Sequence, residues 1–170
     1  MSSSVCGVVT SLGERRSHPT REVSAAVLHV SDPELGGLGI GDLGLVLSID
    51  TDETGGVHVV LLPTFLGCPA LALMAHDVRM AAMEAGASAC VVTWAAQPTW
   101  SSARISPAGV AHLAKLGIAV ATTNDRYPAC PTCGASMLRQ INPVGATACR
   151  AVAWCGACRS VIDVLGAERR

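Results

Sequence analysis

Four of the eight cysteines in this 170-residue chain form two matched pairs near its end. Cys130 and Cys133 make the first pair, Cys155 and Cys158 make the second, and 21 residues separate the pairs. Two residues between ligands let one tight turn offer two sulfurs to one ion, and zinc prefers four such ligands at tetrahedral corners. The spacing predicts one zinc site that supplies the folding free energy of a small zinc-ribbon-like β module over residues 130–165.

Other chemistry for these sulfurs stays open from the residues alone. A mononuclear iron site uses the same four ligands. One Cys-x-x-Cys could act as a redox pair, but that chemistry favours a pair that opens a helix, and no clear helix follows Cys133. Because protein fills all four ligand positions, we expect a structural or interactive module rather than a catalytic one. Cys149 is a fifth thiol nearby, predicted to be a buried core cysteine, with a ligand swap as the alternative.

A further cysteine, Cys68, lies between Gly67 and Pro69 at the predicted mouth of a helix. A helix N-terminus carries about half a positive charge and unpaired N–H groups, which favour a thiolate. Cys68 is therefore a candidate nucleophile or soft metal ligand, and an N-cap cysteine that only packs is an equal alternative. Asp32 and Glu34, in a stiff loop, approach Cys68 if that loop folds over the start of the helix. Their alternative role is to form the turn.

The hydrophobic pattern predicts the elements that hold these groups. Helices are expected from about 20 to 30, 69 to 85 and 106 to 115, and strands at 45–50, 57–62 and 89–94. This order predicts an α+β fold, a small mixed sheet with helices on one side, followed by the four-cysteine β module. We expect a flexible tail over 1–18, an α+β domain over 19–118, a linker over 119–129 and the module over 130–165.

Composition excludes several classes of protein. Half of the residues are hydrophobic and 15% are charged, which predicts a folded core. Only one Phe, one Tyr and three Trp are present, so a stacking platform for single-stranded nucleic acid is hard to build. Net charge is −1, divided into −5 for residues 1–125 and +4 for residues 126–170. The start lacks signal-peptide character and no long apolar run could span a bilayer, which predicts a cytoplasmic protein with reduced thiols.

Several segments resemble the small metal–sulfur cluster assembly domain that includes SufT-like proteins. The matching segments are residues 32–34, 41–46, 63–70 and 100–106. With the ribbon segments at 130–134, 145–151 and 155–158, the chain is similar to the PaaD (PaaJ) family. Members of that family are accessory subunits of the phenylacetyl-CoA 1,2-epoxidase complex of phenylacetate catabolism. The chain departs from relatives at residues 35–37, at Ala103 and in its final segment, which lacks an aromatic-rich ending with an extra cysteine.

The resemblance implies a bacterial cytoplasmic protein that matures or maintains the epoxidase and is not itself catalytic. Cys68 matches the family cysteine, and Asp32 and Glu34 match the acidic loop, so iron or an iron–sulfur cluster is expected there transiently. The implied partners are the oxygenase and reductase subunits; neither nucleic acid nor membrane is expected, and a homodimer is left open. A non-catalytic scaffold that uses its zinc ribbon is the alternative. A thiol enzyme is the weakest hypothesis, because no motif brings a histidine to Cys68.

Overall fold

The first helix begins where its capping residue predicts. In the computed structural model, which describes residues 18–97, 99–121 and 128–166, helix α1 spans Arg21–Leu28. The Thr20 side chain accepts a hydrogen bond from the Val23 N–H at 3.3 Å and so satisfies one free donor of the first turn. Val23 and Val27 are buried on one face of the helix. The tail predicted over residues 1–18 lies almost wholly outside the described residues.

The remaining elements of the body follow the predicted order. Strands β1 and β2 span Val46–Thr51 and Gly56–Leu61, helix α2 spans Leu71–Glu84, strand β3 spans Ala89–Trp94 and helix α3 spans Pro107–Lys115. Pro107 occupies the first turn of α3, where a missing N–H costs nothing, and the Ser106 hydroxyl accepts from the Gly109 N–H at 2.9 Å. The predicted α+β order is confirmed, with ends displaced by one or two residues.

The three body strands form a small mixed sheet in the order β1-β2-β3. Strand β2 pairs antiparallel with β1 and parallel with β3, with Val57 opposite Cys90. Alternate residues of β3 are exposed, which leaves one face of the sheet to solvent, while α2 packs against β3 and α1 packs against α2. The buried aliphatic side chains therefore lie between the sheet and its helices.

A long connection between α1 and β1, residues 31–44, is held closed from within. Ser31 and Gly39 form an isolated antiparallel bridge, and the Asp32 N–H donates to the Leu38 carbonyl at 2.9 Å. Leu35 and Leu38 are buried, so this loop contributes to the core although it has no regular structure. We call residues 31–38 the acidic loop, because it carries Asp32 and Glu34.

Two of the segments that carry the family resemblance bind each other in space. The Trp100 indole Nε1–H donates to the Leu43 carbonyl at 2.9 Å, and Arg104 donates through Nε to the Gly44 carbonyl at 2.8 Å. Gly44 has a positive φ of 66°, and a Cβ there would collide with the Arg104 carbonyl oxygen. These bonds fix the end of the 31–44 connection, which in turn positions the acidic loop.

A second sheet contains the cysteine pairs. Strands β4 (Ile118–Val120), β5 (Leu138–Asn142), β6 (Arg150–Cys155) and β7 (Val161–Leu165) are arranged in the order β4-β7-β6-β5. Strand β4 pairs parallel with β7, whereas the other pairs are antiparallel. The sequence predicted residues 119–129 as a linker, but that segment begins inside β4, and residues 122–127 lie outside the described residues.

The two sheets share buried side chains. Ile118, Val120 and Leu165 belong to the same apolar cluster as the buried residues of the body. A separate cluster within the ribbon contains Cys130, Cys155 and Ile162. Among the residues described, no helix has both the length and the apolar character needed to cross a membrane.

Candidate metal centre and the Cys68 site

Two equivalent turns present the four ribbon sulfurs. In the first, the Gly134 N–H donates to the Cys130 carbonyl at 2.8 Å, and in the second the Arg159 N–H donates to the Cys155 carbonyl at 2.9 Å. Gly134 and Arg159 both have positive φ, 74° and 59°, and each directly follows the second cysteine of its pair. The same backbone turn therefore occurs twice, and each copy delivers two sulfurs to a common point.

The distances between sulfurs match a tetrahedral zinc site. A zinc–sulfur bond of about 2.3 Å places tetrahedral sulfurs about 3.8 Å apart. Cys130 Sγ and Cys158 Sγ are 3.8 Å apart, and Cys133 Sγ and Cys155 Sγ are 3.7 Å apart. All four sulfurs lie within 4.8 Å of one another. The donor set and its spacing fit zinc, which when bound would cross-link the two turns.

Burial divides the four sulfurs into an inner and an outer pair. Cys130 and Cys155 are 2% and 0% exposed, whereas Cys133 is exposed and Cys158 is half-buried. The inner pair belongs to the small core of the ribbon, so an ion held by all four would connect that core to the surface turns. No fifth protein ligand and no histidine joins this group among the residues described.

The metal-free sulfurs compete for protons. A hydrogen bond with the Ser160 side chain lowers the pKa of Cys158 to about 6. At Cys133 the Ala135 N–H lowers the pKa, but lost solvation and the three neighbouring sulfurs outweigh it and raise that pKa to about 11. The group therefore retains protons at neutral pH, and a divalent ion must displace them to bind.

Cys68 lies immediately before α2, but its thiol is not activated. The first helical residue is Leu71, and Cys68 is half-buried against the body core. Burial raises the pKa of the Cys68 thiol, the Ala70 N–H lowers it, and the negative charges of Glu34, Asp32 and Cys149 raise it further. The prediction that the helix mouth lowers this pKa was wrong, because desolvation and like charges exceed the effect of the helix end.

The acidic loop brings its carboxylates within electrostatic reach of Cys68, as the sequence suggested. Asp32 is 7% exposed and its Oδ1 accepts from the Glu34 N–H at 2.8 Å, so it also forms the turn that was its alternative role. Burial raises the pKa of Asp32, against hydrogen bonds from the Glu34 and Leu35 N–H groups and the Arg150 charge. A buried carboxylate beside a buried thiol is costly without a cation.

Sequence reasoning did not foresee how two ribbon residues meet the body. Cys149 packs against the body core rather than the ribbon core, and Arg150 Nη2 donates to the Glu34 carbonyl at 3.2 Å. The only signal for this contact lay in residues 145–151, a segment noted for its resemblance and given no structural role. Cys90, in the middle of β3, is half-buried against the body core as predicted.

Comparisons with known proteins give two family matches. Residues 20–93 match the model for the iron-sulfur cluster assembly protein family, and residues 118–166 match the PaaD zinc beta ribbon domain. A subunit of the Escherichia coli K12 enzyme named "Putative 1,2-phenylacetyl-CoA epoxidase" is 28% identical over 148 residues, covering 84% of this chain and 89% of that protein.

Two further relatives match the body. The Bacillus subtilis 168 protein named "Fe-S protein maturation auxiliary factor YitW" is 39% identical over 59 residues, covering 35% of this chain and 57% of that protein. The crystal structure of a DUF59 domain of unknown function from Bacillus anthracis is 29% identical with a TM-score of 0.47, covering 51% of this chain and 83% of that one.

The matched segments and the sulfur geometry together define a class of protein. An iron–sulfur cluster assembly domain precedes a zinc β-ribbon in a single chain. Within that class the ribbon is of the PaaD family, and the similarity to the Escherichia coli epoxidase protein extends along most of both chains. The resemblance inferred from the motifs is confirmed.

Proposed function

We propose that this chain is an accessory protein of a phenylacetyl-CoA epoxidase that matures or maintains iron or iron–sulfur centres of the oxygenase or reductase subunits. The similarity to iron–sulfur assembly proteins supports an accessory role in maturation. The similarity to the Escherichia coli epoxidase protein supports the epoxidase as the client. The observation that carries the proposal is the joining of a Cys68 site flanked by carboxylates to a coordinatively closed ribbon in one chain.

In this proposal Cys68 holds iron or a cluster transiently as cargo, and Asp32 and Glu34 contribute negative charge or oxygen ligands. A thiol with a raised pKa binds metal in competition with its proton, so its hold is weaker than that of a preformed thiolate. Weak retention suits a protein that must release its cargo to a client. The chain itself performs no catalysis in this scheme.

The ribbon has a different role in the proposal. Cys130, Cys133, Cys155 and Cys158 bind one zinc ion that maintains the fold of the ribbon, and the ribbon surface docks the client protein. All four positions around that ion are filled by sulfur, which leaves none for cargo. We propose domain limits near 19–118 and 130–165, with β4 between them, and a cytoplasmic location where thiols stay reduced.

The proposal is tested by co-expressing the epoxidase components with a Cys68→Ala variant. We expect less iron in the purified oxygenase or reductase and lower epoxidase turnover than with the unmodified chain. Cys90→Ala is the matched control, because Cys90 is also a half-buried cysteine that packs against the body core. Normal metallation and turnover with Cys68→Ala would eliminate the role of Cys68.

The alternative is a scaffold that stabilises the multicomponent oxygenase without handling iron. The closed four-sulfur geometry favours it, since such a site is suited to structure rather than to exchange. It predicts that Cys68→Ala has no effect while Cys155→Ser abolishes association with the epoxidase. Pull-down of the epoxidase subunits by each variant separates the two functions.

A further inference from the structure

The fifth thiol of the ribbon faces away from the zinc site. Cys130, Cys155 and Cys158 lie in or against the ribbon core, whereas Cys149 packs against the body core. Cys68 is half-buried against that same body core. Two cysteines that are 81 residues apart in the chain are therefore directed into one region where the domains meet.

A chain of hydrogen bonds orients Cys149. Arg150 Nε donates to the Thr147 Oγ1 at 2.9 Å, so that oxygen already accepts one proton. The Thr147 hydroxyl proton is then available to the Cys149 sulfur, which lies 3.1 Å from Oγ1. A hydroxyl that donates to sulfur favours the thiolate, the form that binds metal.

The same arginine ties Cys149 to the acidic loop. Through Nη2 it donates to the Glu34 carbonyl at 3.2 Å, and through Nη1 it binds the Asp163 carboxylate at 3.0 Å. Cys149 is therefore adjacent to a residue that fixes the position of the loop bearing Asp32 and Glu34. The charges of both carboxylates and of Cys149 act on Cys68, which supports their nearness.

We propose that Cys149 is the second sulfur ligand of the Cys68 site, so that iron or an iron–sulfur cluster is held between the two domains. Asp32 and Glu34 complete the ligand set with oxygen. This inference rests on the proposed function and adds a ligand that only the ribbon can supply. It makes the ribbon part of the cargo site, in addition to a docking surface.

The ligand atoms are not drawn together in advance. Among the residues described, only the four zinc-site cysteines have three or more ligand atoms within 4.8 Å of one another. Small side-chain movements therefore accompany loading at Cys68 and Cys149, or the cargo is wider than a single ion. Either arrangement gives a site that closes around its cargo and reopens on release.

The test uses the full chain with zinc already in the ribbon and Co²⁺, then Fe²⁺, as anaerobic probes. For Cys149→Ser we expect an apparent affinity at least about tenfold weaker. We also expect sulfur-to-cobalt charge-transfer absorbance near half that of the unmodified protein. Cys90→Ser serves as the control and should leave both quantities unchanged. Unaltered affinity and absorbance in Cys149→Ser would overturn the inference.

A Cys68→Ser variant separates this inference from the function on which it rests. If Cys68→Ser loses the second metal while Cys149→Ser keeps it, only the inference fails. If neither substitution alters binding, the proposed function of Cys68 fails as well. Zinc content and circular dichroism establish whether each variant is folded.

A second measurement avoids substitution altogether. Phenylarsine oxide bridges two neighbouring thiols, and the zinc-loaded protein should yield a bridged product of the peptides that contain Cys68 and Cys149. Prior loading with Co²⁺ should protect both thiols from the reagent. Absence of the bridged peptide, detected by mass spectrometry, contradicts the pairing even if a variant does not fold.

Discussion

Arg150 of the ribbon donates through Nη2 to the carbonyl oxygen of Glu34 in the acidic loop, at 3.2 Å. The same guanidinium contacts Asp163 and Thr147 through its other nitrogens, so each of the three engages a different partner. Its side chain is 13% exposed, which shields these bonds from solvent. One arginine thus joins two ribbon strands, a ribbon turn and the loop beside Cys68.

Arg150→Lys should weaken this junction. A lysine offers one compact ammonium in place of a planar fork and cannot reach all three acceptors. We expect the free energy of unfolding of the zinc-loaded protein to fall by about 1 to 3 kcal/mol, as for hydrogen bonds to charged groups. Urea denaturation measures the change. The exposed Arg139, replaced by Lys, is the control, and an equally small effect at both positions contradicts the junction role.

Removing zinc should destabilise more than the ribbon. Structural zinc contributes on the order of 10 kcal/mol or more to folding, and Leu165 of β7 lies in the body core. Chelation, or Cys155→Ser, should therefore release one zinc and lower the melting temperature of the whole chain. Cys90→Ser should retain the zinc. Metal analysis with calorimetry tests this, and an unchanged body transition after zinc loss would refute the coupling.

Zinc affinity should also depend on pH in a defined direction. All four thiols must be deprotonated to bind, and the metal-free group keeps the pKa of Cys133 near 11. As the pH falls, more protons compete with the ion, so the apparent affinity decreases. Below about 6, Cys158 also becomes protonated and the decrease steepens. Competition with a chromophoric chelator across this range measures it, and an affinity independent of pH contradicts the assignment.

Cys68 should react slowly with alkylating agents near neutral pH. Only the thiolate is nucleophilic, so below its raised pKa the rate should increase about tenfold for each pH unit. Glu34→Gln removes a negative charge that raises this pKa, and should therefore accelerate alkylation at a given pH. Mass spectrometry of the Cys68 peptide reports the rate. Glu53→Gln, at an exposed turn, should have no effect; acceleration by both substitutions would indicate a nonspecific cause.

Asp32→Asn should separate stability from metal binding. Because the pKa of Asp32 is raised in the folded state, its ionisation opposes folding, and stability falls as the pH rises from 3.8 through the raised value. The amide keeps an oxygen for the Glu34 N–H and carries no charge to bury. We expect equal or higher stability above that range, with weaker binding of Co²⁺ at the Cys68 site. Lower stability together with unchanged binding would mean that Asp32 serves the fold alone.

Local signals in the sequence were sufficient for most of the body. Thr20 caps α1 and Ser106 caps α3, and each cap depends on residues only a few positions away. The spacing of the ribbon cysteines likewise identified the group whose sulfurs converge. These features were predictable because the physics that determines them acts over short stretches of chain.

The remaining features depend on contacts distant in sequence. Strand β4 is only three residues long and is defined by its parallel partner β7, which follows about 40 residues later. The pKa of Cys68 reflects charges contributed by Glu34, Asp32 and Cys149, which arrive from two separate segments. The helix mouth alone suggested the opposite direction. No periodicity encodes such meetings, so the orientation of Cys149 was not accessible either.

The position of β4 determines where the chain can be divided. Strand β7 lies between β4 and β6, so a fragment starting at residue 130 keeps all four zinc-site cysteines but loses the neighbour of β7. Such a fragment would expose a row of unpaired N–H and C=O groups beside the apolar Leu165, a template for sticking to other copies. Cleavage before residue 118 instead retains a capped sheet, and solubility on excision should follow that choice.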